Sequence, residues 1–374
     1  MFVYLMNIFV TIALFYAFMG QKNWGRNVSV RDKDKYFLGN KNKKYFCICC
    51  SFLWIILSGF RHLSVGTDTI AYEVMYNQVK STSWETLISN IVVKLTSIET
   101  MLEGDAFNKD PGFMLLMKVE QLISPSYRIF LILVAIFFMF YLGRFLYKYS
   151  RNPLLGFIVF DCLFYSFYAI TGIRQTIATA LIVFIGYDYI KERKLVHFLI
   201  ISFISFLIHK SSICFIPFYF IYDLKINKIT LSAALVFIAS SFVFKDPLMG
   251  LLSEGVGYEQ YNVQYDYNGP IFFTLLVIAL LIGTVLFRRR MYYFDHHIDG
   301  EVWAIIATLF FIPLAYIDPS AMRVAYYYAL FIMLLLPKII DVTGKYRQVF
   351  SLILIILMIL MLIKNNPYYM FMEI

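Results

Sequence analysis

The chain has 374 residues, 60% of them hydrophobic and 15% charged, with a mean hydropathy of +0.70 and a formal net charge of +9. Soluble domains carry about 25% charged residues, so this composition excludes a soluble enzyme and indicates a polytopic membrane protein. The positive balance does not call for nucleic acid, because basic residues collect on the cytoplasmic loops of membrane proteins.

In chain order, about twelve apolar stretches read as transmembrane helices, with ends uncertain by a few residues. They are residues 3–20, 45–60, 128–147, 153–170, 173–190, 195–208, 211–222, 229–244, 271–287, 302–317, 321–337 and 349–363. The sixth and seventh are short for a core of ~30 Å and read as half-length, tilted or re-entrant. The first lacks a basic flank before it, so a retained helix is expected rather than a cleaved signal. The whole chain, 1–374, reads as a single transmembrane domain without an internal repeat.

Orientation follows from the loops. Residues 21–44 hold eight basic residues (Lys22, Arg26, Arg31, Lys33, Lys35, Lys41, Lys43, Lys44) against Asp32 and Asp34. Counting spans from there, the same side receives Arg144, Lys148 and Arg151, then Lys191–Lys194, Lys225 and Lys228. It also receives Arg288, Arg289 and Arg290, then Lys338, Lys345 and Arg347. That side is expected to be cytoplasmic, which puts both termini outside. Two external loops follow, residues 61–127 and 245–270, both with an acidic excess. Loops this long usually carry function. Within the first, residues 83–98 and 112–123 have apolar residues at helical spacing and read as amphipathic interfacial helices.

Cys47, Cys49, Cys50, Cys162 and Cys214 lie in or beside apolar stretches without zinc spacing, so they read as packing residues, with no disulfide and no metal expected. Asp295-His296-His297 falls in a cytoplasmic loop and reads as solvated. Asp161 lies mid-span, where an ionisable group is either functional or protonated and hydrogen-bonded.

Arg61, Arg174 and Arg323 stand at the outer ends of three separate spans. Snorkelling toward lipid phosphate is one reading. A shared pocket for a phosphate or diphosphate is the other, since guanidinium forks grip those oxygens bidentately. Gly66, Thr67 and Asp68, with Tyr72 after them, form a small hydroxyl-bearing turn suited to a sugar or phosphate. His209 lies on the same expected face and is the leading acid/base candidate against a satisfied interfacial histidine, with Asp68 as the alternative. Asp110-Pro111-Gly112-Phe113 reads by itself as a helix start.

Together these residues resemble the EpsG/Wzy-type family of bacterial polysaccharide polymerases. The resemblance rests on Gly59-Phe60-Arg61 with Val65-Gly66-Thr67-Asp68-Thr69 and Tyr72; on Asp110-Pro111-Gly112-Phe113; on Gly172-Ile173-Arg174-Gln175 through His209-Lys210-Ser211-Ser212; and on Arg323 with its following tyrosines and Pro337. The family more often has Glu before Pro-Gly, where this chain has Asp110. The resemblance implies an all-α, GT-C-like helix bundle in the bacterial cytoplasmic membrane with its active site on the outer face. It implies a glycosyltransferase that joins oligosaccharide repeat units carried on undecaprenyl diphosphate, without metal or other cofactor. Arg61, Arg174 and Arg323 would hold the diphosphate. His209 or Asp68 would serve as base. Gly66, Thr67, Tyr72, Gln175 and Ser211 would line the substrate. A flippase and a chain-length regulator of the same pathway are the implied protein partners, with the lipid bilayer around the bundle. Two rivals remain open at this point, an O-antigen ligase-type transferase and a polysaccharide flippase or transporter.

Overall fold

The computed structural model describes residues 1–19, 41–96, 110–256, 269–293, 295–365 and 367–372. Five of the eight basic residues of the first loop (Lys22, Arg26, Arg31, Lys33 and Lys35) lie outside them, as do residues 97–109 and 257–268 of the two external loops.

The described chain is helical. The first helices are α1 (Phe2–Met19), α2 (Lys41–Gly59), α3 (Thr69–Ser81), α4 (Trp84–Leu95), α5 (Pro111–Glu120) and α6 (Tyr127–Tyr149). Helix α7 starts at Pro153–Val159 and continues in π-helical turns at Phe160–Phe164 and Ser166–Thr171. Helix α8 starts at Ile173–Thr179 and runs through another π-helical stretch, Ala180–Ile185, to Gly186–Lys191. Then come α9 (Leu195–Ile208), a 3₁₀ segment Lys210–Phe215, and α10 (Phe218–Ile221). The rest are α11 (Lys228–Val243), α12 (Lys245–Val256), α13 (Ile271–Tyr292), α14 (Ile298–Phe311), α15 (Met322–Ala329), α16 (Ile332–Asp341) and α17 (Arg347–Asn365).

All twelve apolar stretches of the sequence are therefore mainly helical. By length and composition, five described helices are able to cross a membrane, and up to seven if two bent pairs each count as one span. The bends are 84° between α11 and α12 and 54° between α15 and α16. Elsewhere the helices are interrupted. Gly172 has non-helical dihedrals between α7 and α8, and His209 is extended (φ −156°, ψ 110°) between α9 and the 3₁₀ segment. Such breaks free backbone groups, and inside a membrane they persist only where buried protein or a polar cavity satisfies them.

Aromatic side chains fill the bundle. Phe138, Phe145, Phe184, Tyr187 and Phe331 are fully buried and pack ring on ring. Large apolar residues such as Phe9, Phe140, Val236 and Leu286 cover the outer faces, as suits a lipid-facing surface. A second, smaller cluster joins Tyr72, Tyr76, Phe113, Met117, Phe130, Ile173 and Ile208. It seats α3 and α5 against α6, α8 and α9. Helix α5 is thus docked into protein, with Phe113 and Met117 wholly buried, where its sequence reads as interfacial. Lys118 strengthens this seat by donating to the carbonyls of Val79 and Thr82 at 3.1 and 2.6 Å. Helix α4 keeps Ile88, Val92 and Val93 exposed, in line with an interfacial helix.

The basic residues assigned to the cytoplasmic side meet one another through carboxylates. Arg144 and Lys148 pair with Asp188, Arg151 and Arg347 with Asp341, Arg288 with Asp299, and Lys338 with Asp295 and Glu301. Asp161 accepts hydrogen bonds from the Trp54 indole at 2.5 Å and the Asn7 amide at 3.4 Å, so mid-bundle it is a satisfied group. The five cysteines are free thiols.

Candidate functional site

Two close approaches build the site. Gly66 has φ of +99°, a conformation that favours glycine. A Cβ there would sit 2.7 Å from the Ile170 carbonyl oxygen, so the turn carrying Asp68 can lie directly on the end of α7. At Gly112, a Cβ would sit 2.7 Å from Leu207 Cβ and 2.9 Å from the Leu207 carbonyl carbon. The start of α5 therefore rests on the last turn of α9. Pro111 suits the first position of that helix, and Asp110 just before it lands on the His209–Lys210 hinge.

Asp110 is the hub. It is 2% exposed. Its Oδ2 lies 2.7 Å from Arg174 Nη1 and 3.7 Å from His209 Nδ1. Its Oδ1 accepts from the Lys210 backbone N–H at 3.4 Å. Burial alone would raise the pKa of this carboxyl. The His209 contact and the charge of Arg174 outweigh burial and hold it below the usual range. The same burial pushes His209 below its ordinary value, with Asp110 opposing. The imidazole is accordingly neutral near pH 7.

Arg174 also donates from Nε to the Tyr72 hydroxyl at 3.3 Å and lies over the Tyr72 ring, 5.5 Å from its centroid. The neighbouring Gln175 donates from Nε2 to the Arg323 carbonyl at 2.6 Å. Adjacent residues of α8 thus touch both halves of the site. Arg323 Nη2 lies 3.7 Å from Asp68 Oδ2. Both side chains are partly open, at 24% and 34%. Asp68 sits at the N-cap of α3 without a side-chain capping bond, so its carboxylate is not consumed by the helix end.

The structure therefore brings together Asp68, Tyr72, Arg174, Gln175, His209 and Arg323, from four distant parts of the sequence. Thr67 is exposed beside Asp68. Ser211 is buried and paired with the Tyr327 hydroxyl at 3.1 Å, facing α15. Arg61 points elsewhere. It is 3% exposed and its Nη1 donates to the Ser58 carbonyl in the last turn of α2. Asp110 is the residue that sequence reasoning passed over as a helix start. The signal was its place before Pro-Gly, which marks a close backbone approach but not what it approaches.

Two cations with matched carboxylates at a partly open surface suit an anionic, oxygen-rich ligand. Among the described residues no group of three His, Cys, Asp or Glu is arranged to hold a metal ion. No curated protein and no solved structure matches the chain. A family model does match, across residues 43–371, from the start of α2 to beyond α17 and so over the entire site. The chain is a membrane protein of the EpsG family.

Proposed function

We propose that this protein polymerises polysaccharide on the outer face of the bacterial cytoplasmic membrane, by joining repeat units carried on undecaprenyl diphosphate. Family membership supports a polymerase-type role. The observation that carries the mechanism is the pairing of Arg174 with Asp110 and of Arg323 with Asp68, tied through Gln175. We read the helical stretches as about twelve crossings of a GT-C-like bundle. Both termini then lie outside, on the side of the site.

In this reading the hydroxyl oxygen of an incoming lipid-linked unit attacks the anomeric carbon of the growing chain. The bond from that carbon to the diphosphate oxygen breaks, and its electron pair leaves on the lipid diphosphate. Arg174 and Arg323 meet the charge that develops there. Preorganised cations of this kind supply the largest share of many enzymatic rate enhancements. The hydroxyl proton passes to a carboxylate, for which Asp68 is the better placed group. Its side chain is 34% exposed, whereas that of His209 is 3% exposed beneath Asp110. His209 then acts by positioning Asp110, and Asp110 by aiming Arg174.

Deleting the gene in its host tests this reading directly. Loss of long polymer, with single repeat units accumulating on the lipid carrier, is the expected result. Polymer of normal length after deletion would overturn it. A ligase would instead leave full-length polymer on the lipid carrier and lose only its transfer to the final acceptor.

A further inference from the structure

The pairing of Arg323 with Asp68 has an aromatic floor. Arg323 lies in the first turn of α15, and Tyr326 follows three residues later on the same face of that helix. The Arg323 guanidinium lies over the Phe167 ring at the outer end of α7, 5.8 Å from its centroid. The rings of Phe167 and Tyr326 have centroids 5.4 Å apart and planes at 49°, so they make a shallow V beside the cation.

The local sequence places both rings. Phe167 belongs to the π-helical turn Ser166–Thr171, and such turns recur at functional sites. Its ring fills the space that Gly172 leaves, since a Cβ there would sit 2.6 Å from Phe167 Cζ. Beneath the V, the buried rings of Phe164 and Tyr168 lie against Tyr326 at 5.8 and 6.1 Å. Phe273 of α13 meets Tyr326 edge-on at 6.1 Å and holds it from another side. Phe167 and Tyr326 themselves are only half-buried. Ser166 beside them is exposed, Thr171 is half-buried, and Gly66 seats the Asp68 turn against the Ile170 carbonyl of the same π-helical turn. Rings that faced only lipid would have apolar flanks, not a guanidinium, its carboxylate partner and hydroxyl side chains.

A half-exposed aromatic V next to a diphosphate-binding cation suits a saccharide. A sugar ring presents C–H bonds on its face and hydroxyls around its edge. The C–H hydrogens are weakly positive and match the negative face of an aromatic ring. We propose that Phe167 and Tyr326 are the saccharide platform of the site, taking by ring stacking the sugar attached to the diphosphate held at Arg323. The proposal rests on the polymerase reading for its ligand, a lipid-linked saccharide. Phe167 has a second duty there, since it also positions the Arg323 guanidinium.

The test uses the full-length protein in nanodiscs of neutral lipid and reads ligand affinity from thermal unfolding. The probes are farnesyl diphosphate and the same diphosphate carrying glucose, galactose or N-acetylglucosamine. In wild type at least one glycosylated probe should bind about three- to tenfold more tightly than the bare diphosphate, the range expected of one aromatic stacking contact. Tyr326→Leu should abolish this difference while bare farnesyl diphosphate binds as before. Phe167→Leu should abolish it too and weaken every probe, because Arg323 lies on that ring. No sugar-dependent difference in wild type, or one that survives in Tyr326→Leu, overturns the proposal. Should Tyr326→Leu not fold, Tyr326→Phe and pentafluorophenylalanine at position 326 both keep the shape of the ring. The difference should persist in the first and vanish in the second, whose ring face is no longer negative; persistence in both overturns the platform. Normal polymer after gene deletion, with the sugar-dependent difference intact, rejects the polymerase reading alone. Loss of polymer on deletion without a sugar-dependent difference rejects the platform alone.

Discussion

Arg174 Nη1 and Asp110 Oδ2 lie 2.7 Å apart although 64 positions separate them in the chain. Asp110 is also fixed by the Lys210 N–H and touches His209. Arg174 is therefore held by protein and not simply stretched toward lipid. Its guanidinium plane is set before any ligand arrives, which is what electrostatic preorganisation requires.

Arg174→Lys separates charge from shape. Lysine keeps the charge and can still reach a carboxylate, but it lacks the planar fork. Loss of one charge-assisted contact amounts to roughly 1.5–3 kcal/mol, or about tenfold or more in rate. Arg174→Lys and Arg323→Lys should each shorten or abolish the polymer at equal membrane abundance, read on a gel of chain length. Full-length polymer from both would leave these arginines a structural role as partners of Asp110 and Asp68.

Asp110→Asn should be worse than Asp110→Glu. Removing one partner of a buried pair leaves an uncompensated charge and costs about 3–5 kcal/mol. The expected readouts are a lower unfolding temperature in nanodiscs and loss of polymer. Asp110→Glu keeps the charge and should retain part of both.

The base is tested by contrast. General base catalysis contributes about 10²–10⁴ in rate. Asp68→Asn should lower chain extension within that range while leaving the unfolding temperature near wild type, because Asp68 makes no capping bond. His209→Gln should lower the unfolding temperature and reduce extension less. The reverse pattern would return the base role to His209.

Stability should fall on acidification. Burial lowers the His209 pKa in the folded protein, so near and below the unfolded value of about 6.5 the unfolded chain binds the extra proton. Stability then rises with pH across that window and is lost as pH drops toward the depressed folded value. The lowered Asp110 carboxyl acts in the same direction only below its own unfolded value of about 3.9. Unfolding temperatures from pH 8 to pH 5 should therefore decline in wild type, and this slope should flatten in His209→Gln.

Orientation is open to cysteine labelling. Ser81 and Lys194 are both exposed, and they flank opposite ends of the bundle in the loop assignment. An impermeant reagent should label Ser81→Cys in intact cells and Lys194→Cys only after permeabilisation. The opposite result would invert the topology.

Composition and periodicity by themselves determine that this is a helical membrane protein, because apolar length and the placement of Lys and Arg are local properties of the chain. They also mark Arg174, Arg323, Asp68 and His209 as polar residues at helix ends. Tertiary structure decided which of these meet. Asp110 became the hub only because Gly112 lets α5 rest on Leu207, a contact between segments almost a hundred positions apart in the chain. Arg61, which looks like Arg174 in sequence, was turned inward by the strap at residues 367–372 and by the Ser58 carbonyl. Side-chain direction at a helix end depends on what packs over it, and that partner lies hundreds of residues away.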